Sequence, residues 1–104
     1  MKKQILSLAL AAGLLASGPV QANEKLTLLL DWFINPDHAP LVTAQTKGFF
    51  EAEGLEVEII EPADPAMPPK LVAAGQGDIA VSYQPTLHAQ IEEELPLKWI
   101  GTLV

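Results

Sequence analysis

The chain alternates short apolar runs with polar, proline- or glycine-bearing joints. Leu26, Leu28, Leu29 and Leu30 make the segment from Lys25 to Asp31 almost continuously apolar, as expected of a strand covered on both faces. Trp32 to His38 reads as a loop, with Asn35-Pro36-Asp37 as its turn chemistry. A helix is expected from Ala39 or Pro40, since proline fits a first turn whose amides need no helical partner. Leu41, Ala44 and Gln45 share one side of it, Gly48 interrupts it, and Phe50 to Glu53 adds a turn stopped by Gly54.

From Leu55 to Glu61 the pattern changes period. Leu55, Val57 and Ile59 point one way and Glu56 and Glu58 the other, the mark of a half-buried strand. Pro62 to Pro69 is a proline-rich connection. Lys70 to Gln76 follows as a short helix, with a start as early as Pro68 if the prolines occupy its first turn. Gly77-Asp78 turns the chain into a short buried strand, Ile79 to Ser82. Pro85 to Glu93 is a helix with Leu87 and Ile91 one turn apart, and Leu97 to Val104 reads as a fourth strand. Strands joined by crossover helices imply an α/β fold: a mainly parallel sheet flanked by helices. Such sheets bind ligands beyond the carboxyl ends of their strands.

The N-terminus has a different character. Lys2 and Lys3 precede an apolar run from Ile5 to Leu15; Ser17, Gly18 and Pro19 break it, and Val20-Gln21-Ala22 places small residues where a leader peptidase accepts them. Residues 1–22 are therefore expected to be a signal peptide, with Asn23 the first mature residue. The run is shorter than the roughly 20 residues a membrane anchor needs. Without a cysteine no lipid anchor can follow the cleavage site, and neither a disulfide framework nor thiolate-ligated zinc is available. The expected product is free in the periplasm, without membrane insertion, and monomeric.

The 104 residues carry a net charge of −7; residues 23–104 hold four lysines, 13 acids and no arginine, a net −9. That balance argues against nucleic acid and against anionic lipid as partners. No nucleophile–base–acid set can be assembled, His38 and His88 lack a metal-ligand pattern, and Gly75-Gln76-Gly77-Asp78 lacks the context of a nucleotide loop. The unusual residues instead gather after the first and third strands. Trp32 either packs under the sheet edge or offers a large flat face to a ring. Asn35 is a turn residue or a donor–acceptor pair for an amino-substituted heterocycle. His38 caps the next helix or presents a ring nitrogen to a crevice. Asp31 braces the first loop by accepting backbone amides or accepts from a ligand. Ser82-Tyr83-Gln84 leads into the Pro85 helix, where free amides suit an electron-rich oxygen, and Tyr83 either stacks on a ligand or is an ordinary edge tyrosine.

Taken together, Leu30-Asp31-Trp32-Phe33-Ile34-Asn35-Pro36-Asp37-His38, Ala44-Gln45, Lys47-Gly48-Phe49-Phe50, Glu53-Gly54-Leu55-Glu56-Val57, Pro69-Lys70-Leu71-Val72-Ala73, Gly77-Asp78-Ile79-Ala80 and Ser82-Tyr83-Gln84-Pro85 resemble periplasmic solute-binding proteins related to the thiamine-pyrimidine synthesis (NMT1/THI5-like) proteins. The resemblance covers residues 25–104. It implies a periplasmic binding protein of type II that closes on its solute and delivers it to the permease subunits of an ABC transporter. On that pattern residues 23–104 are the N-terminal portion of the solute-binding domain, part of the first lobe, with the second lobe absent. The solute implied is a thiamine-precursor aminopyrimidine, such as a formylated aminomethyl-pyrimidine. An alkanesulfonate, taurine or other small anion is the alternative, and a pyrimidine-synthesis enzyme of the same fold a further one. By the same resemblance Trp32 walls the ring, Asn35 and His38 sit at the pocket edge, Tyr83 faces the ring from the second loop and Asp31 holds the first loop; Ser82 and Gln84 support them. No cofactor and no catalytic residue are implied.

Overall fold

The computed structural model describes residues 23–104; the expected signal peptide, 1–22, lies outside the described residues. The elements run β1 (Glu24–Leu29), one 3-10 turn (Pro36–His38), α1 (Ala39–Thr46), α2 (Phe49–Ala52), β2 (Leu55–Ile60), α3 (Pro68–Ala73), β3 (Ile79–Ala80) and α4 (Gln84–Glu92). The α/β fold and the parallel sheet expected from the pattern are both present.

The sheet has strand order β2-β1-β3, and both pairings are parallel. β1 and β2 pair along their whole length, Glu24 opposite Leu55 through Leu29 opposite Ile60. β3 is short, pairing Ile79 and Ala80 with Leu28 and Leu29. Single bonds carry both ladders one step further, Leu30 N–H to Ile60 O and Val81 N–H to Leu29 O, each 2.8 Å. At the other end, Asp78 clamps the start of β3: its Oδ2 accepts from Thr27 N at 2.7 Å while its own N–H donates to Thr27 O at 3.0 Å.

Strand periodicity decides the two faces. Leu26, Leu28, Leu30, Leu55, Val57, Ile59, Ile79 and Val81 form one apolar layer, closed by Leu41 of α1 and Phe50 of α2. On the other face Leu29 is buried against Gly77, which also lies near Val72 of α3. A Cβ on Gly77 would lie 2.8 Å from Leu29 Cδ1 and 3.5 Å from Val72 Cγ2, so only glycine allows this approach. Apolar cover on both faces explains why β1 is rich in leucine on both sides. β2, an edge strand, keeps Glu56 and Glu58 in solvent. Gly48 takes φ 74° between α1 and α2, a left-handed turn that lets Phe50 swing back onto the sheet.

Several boundaries differ from those read in the pattern. α3 starts at Pro68, with both prolines in its first turn and both buried, and it ends at Ala73. β3 stops at Ala80 rather than Ser82. The expected fourth strand does not form: residues 97–104 have no regular structure, and Trp99, Ile100 and Val104 are exposed. A strand exists only against a hydrogen-bonding neighbour. The free edge of β3 is two residues long, too short to hold an eight-residue partner, so apolar content there does not translate into a strand.

Candidate functional site

Strand order 2-1-3 makes β1 and β3 neighbours whose connections leave in different directions. β1 feeds the helices of one face toward β2, and β3 is reached from β2 by a crossover over the other face through α3. In open parallel sheets the crevice opens at such a reversal, outside the carboxyl ends of the two strands. Here those ends are followed by Asp31-Trp32 and Ser82-Tyr83. The ladder, continued past Leu29 and Ala80, sets Asp31 beside Ser82.

The loop after β1 is built by its own side chains. Asn35 stands in extended conformation as N-cap of the 3-10 turn. Its Oδ1 accepts from Asp37 N at 3.0 Å and its Nδ2 donates to Phe33 O at 2.9 Å. Three residues on, His38 reaches back, and its Nδ1 accepts the Asn35 N–H at 3.2 Å. This is a capping box with a histidine in the place usually taken by Glu or Gln. The other ring nitrogen, Nε2, lies 2.7 Å from Asp31 Oδ1. Because Nδ1 accepts a hydrogen bond from the backbone, the proton of the neutral ring belongs on Nε2, which donates to the carboxylate. Ile34 N–H donates to Glu61 Oε1 at 3.3 Å and ties the loop to the end of β2.

His38 is 1% exposed, and the Asp31 side chain retains 13% exposure. Burial alone would raise the Asp31 pKa. The hydrogen bond from His38, helped by the nearby Tyr83 hydroxyl and the backbone, outweighs that and lowers the carboxyl from its ordinary value. Tyr83 shows the reciprocal effect. Its hydroxyl is pushed up by the nearby Asp31 carboxylate, which favours the protonated phenol as a hydrogen-bond acceptor and through its charge. Tyr83 itself is 58% exposed. Trp32 is 51% exposed and meets the Phe33 ring edge-on, with centroids 5.9 Å apart.

The structure thus gathers Asp31, His38 and Tyr83 around one carboxylate and leaves Trp32 and Tyr83 as exposed aromatic faces at the same edge. It spends the polar atoms of Asn35 and His38 inside the loop. His38 lies under the loop with both nitrogens engaged rather than at its rim. Asp31 braces the loop through the His38 ring rather than through the backbone amides its position suggested. Ser82 is half-buried, and Gln84 is exposed at the start of α4. The Asp31–His38 bond was not read from the pattern. Its one sequence trace is Asn35-Pro36-Asp37-His38, a cap residue with a proline after it and an acceptor three places on.

Two open concavities, of about 280 and 590 Å³, lie elsewhere, along β1 and β2 beside Gln45. Both are lined by glutamates and aliphatics and touch none of Asp31, Trp32, His38 or Tyr83. The strand-end edge is the stronger candidate, because charge, aromatic faces and topology coincide there. Among the described residues no group of three or more His, Asp or Glu side chains could hold a metal ion.

A family model described as "NMT1/THI5 like" matches residues 35–104. The chain is 55% identical, over all 104 residues, to a putative thiamine biosynthesis protein of Haemophilus influenzae, covering 33% of that protein. It is 36% identical, over 97% of its length, to the formylaminopyrimidine-binding protein of Halalkalibacterium halodurans, covering 32% of it. Against the 4-amino-5-hydroxymethyl-2-methylpyrimidine phosphate synthase of Uromyces fabae it is 37% identical over 80% of its length and 24% of the enzyme. The chain spans about a third of the length of the bacterial relatives and a quarter of the fungal one. With the family model covering residues 35–104, and with the parallel sheet and the strand-end loops in place, this chain belongs to the NMT1/THI5-like family.

Proposed function

We propose that this chain is the N-terminal portion of an extracytoplasmic solute-binding protein of an ABC uptake system, and that its solute is a thiamine-precursor aminopyrimidine. The observation that carries the reading is the adjacency of β1 and β3, whose following loops carry the exposed rings of Trp32 and Tyr83 and the carboxyl of Asp31. Flat faces around one hydrogen-bond acceptor suit a planar ring with polar substituents. The formylaminopyrimidine-binding relative supports the same class of solute. The leader-like residues 1–22 support export, and permease subunits are the partners that follow.

In this reading residues 23–104 supply part of the first lobe of a type II periplasmic binding fold, and the second lobe closes over the ring. Trp32 and Tyr83 wall the solute. Asn35 and His38 set the loop that carries Trp32, with Asn35 also at the pocket edge. Ser82 and Gln84 support the second loop. Capture and closure are the mechanism, with no covalent step. The phosphate synthase relatives favour a second reading, an enzyme of the same fold.

Calorimetric titration of the full-length protein with 4-amino-2-methylpyrimidine compounds, including the formylaminomethyl derivative, tests both. The expected result is reversible binding with the ligand recovered intact, weakened in Trp32→Ala by about 2 kcal/mol, as for a buried aromatic anchor. Unchanged affinity in Trp32→Ala would overturn the site, and a converted ligand would overturn the binding-only mechanism.

A further inference from the structure

His38 holds the loop after β1 at two points through one ring. Nδ1 accepts the Asn35 N–H at 3.2 Å and closes the capping box, and Nε2 donates to Asp31 Oδ1 at 2.7 Å. The first of these bonds exists only while the ring is neutral. An imidazolium carries a hydrogen on each nitrogen and has no lone pair to offer. A proton added at Nδ1 sets donor against donor across the cap, while the bond from Nε2 to Asp31 becomes an ion pair and strengthens. The two bonds answer a proton in opposite directions. Histidine is also the side chain whose charge changes nearest neutrality, whereas the Glu or Gln that ordinarily fills this place in a capping box keeps its acceptor there.

The titratable groups about this loop are all acids. Asp31 is held below its ordinary value, so it is still a carboxylate when a histidine takes up a proton. Asp37 precedes His38 in the same turn, Glu61 at the end of β2 accepts the Ile34 N–H at 3.3 Å, and Tyr83 before α4 lies near Asp31. No arginine occurs in the sequence, and among the described residues the His38–Asp31 contact is the only salt bridge.

We propose that His38 is a proton-operated latch on the loop that carries Trp32. Neutral, it ties Asn35 to Asp31 and keeps the capping box shut; protonated, it keeps Asp31 and releases Asn35, which frees the 3-10 turn from its cap. The device needs no solute, so it stands or falls apart from the binding reading.

The ligand-free, isotope-labelled full-length protein is followed by nuclear magnetic resonance from about pH 8 to about pH 5, the range in which histidine charge changes. The His38 ring nitrogens and the Asn35 backbone amide are observed together, with the exposed His88 as a reference ring. As His38 takes up its proton, the Asn35 amide is expected to lose its hydrogen-bonded shift over the same pH interval. Its protection against exchange, corrected for the intrinsic pH dependence, is expected to fall by roughly tenfold or more, the factor for losing one such hydrogen bond. In His38→Gln, which restores the usual capping-box residue, the amide is expected to stay protected throughout. An Asn35 amide that stays protected while His38 becomes charged overturns the inference, as does a His38 that stays neutral down to the onset of unfolding; both are read on the wild-type protein alone. The same loss of protection in His38→Gln would mean that acid acts through another group, and the latch fails equally.

Discussion

His38→Ala probes the loop that carries Trp32 more directly than any other change. The ring is 1% exposed and uses both nitrogens, one on Asp31 and one on the Asn35 amide. Its removal costs the hydrogen bond to a charged acceptor, about 1.5–3 kcal/mol, and leaves the Asn35 N–H unpartnered, about 1–3 kcal/mol more. Solvent reaching the Asp31 edge recovers part of this, so a net loss of about 3 kcal/mol is expected. The cause is tested by a double-mutant cycle with Asp31→Asn. With His38 present, neutralising Asp31 weakens a charge-assisted bond and costs about 1 kcal/mol. With His38 gone, the same change removes an unpaired, largely buried charge and is expected to be neutral or stabilising. Equilibrium urea denaturation of the ligand-free full-length protein at neutral pH measures all four corners. If Asp31→Asn costs the same in both backgrounds, the two side chains are not coupled and the bracing argument fails. A His38→Ala loss well under 1 kcal/mol would refute it more simply.

Three further outcomes follow from the same geometry. The Asp31 carboxyl is held below its ordinary value in the folded chain, so the unfolded state binds the extra proton first. The stability this contributes is full above about pH 4 and is lost as pH falls through the lower folded value; urea midpoints of wild type and Asp31→Asn should converge on acidification, and parallel curves would contradict the shift. Tyr83 is the single tyrosine of this sequence, so its phenolate absorbance can be titrated in the 104-residue chain; it should ionise above the ordinary tyrosine value and return toward it in Asp31→Asn, and identical curves would separate the two loops. Gly77→Ala drives a Cβ against the buried Leu29; a loss of about 1–3 kcal/mol in urea is expected, and a neutral result would mean that this face is loosely packed.

Period and punctuation determined much of this molecule. The nearly continuous leucines of β1 announce a strand covered on both sides, and the Leu55-Val57-Ile59 alternation announces a half-buried strand, because side chains alternate across a pleated sheet wherever it forms. Gly48 and the paired Pro68-Pro69 mark their turn and helix start for reasons internal to each residue. The aromatic and polar residues after the first and third strands are visible as a group in the string, and so is the family resemblance they carry. Strand order is not visible there. It follows from which hydrogen-bonding edges meet, and it alone makes β1 and β3 neighbours. The failure of residues 97–104 to pair has the same origin, since no local pattern reveals that β3 offers only two residues of edge. Likewise, the sequence offers Asp31 and His38 as separate candidates seven residues apart. Only the folded loop, turned by the Asn35 cap, brings Nε2 to 2.7 Å from the carboxylate. That contact moves the histidine beneath the site and leaves Asp31 at its centre, because a bond between side chains depends on where the backbone carries them and not on their spacing along it.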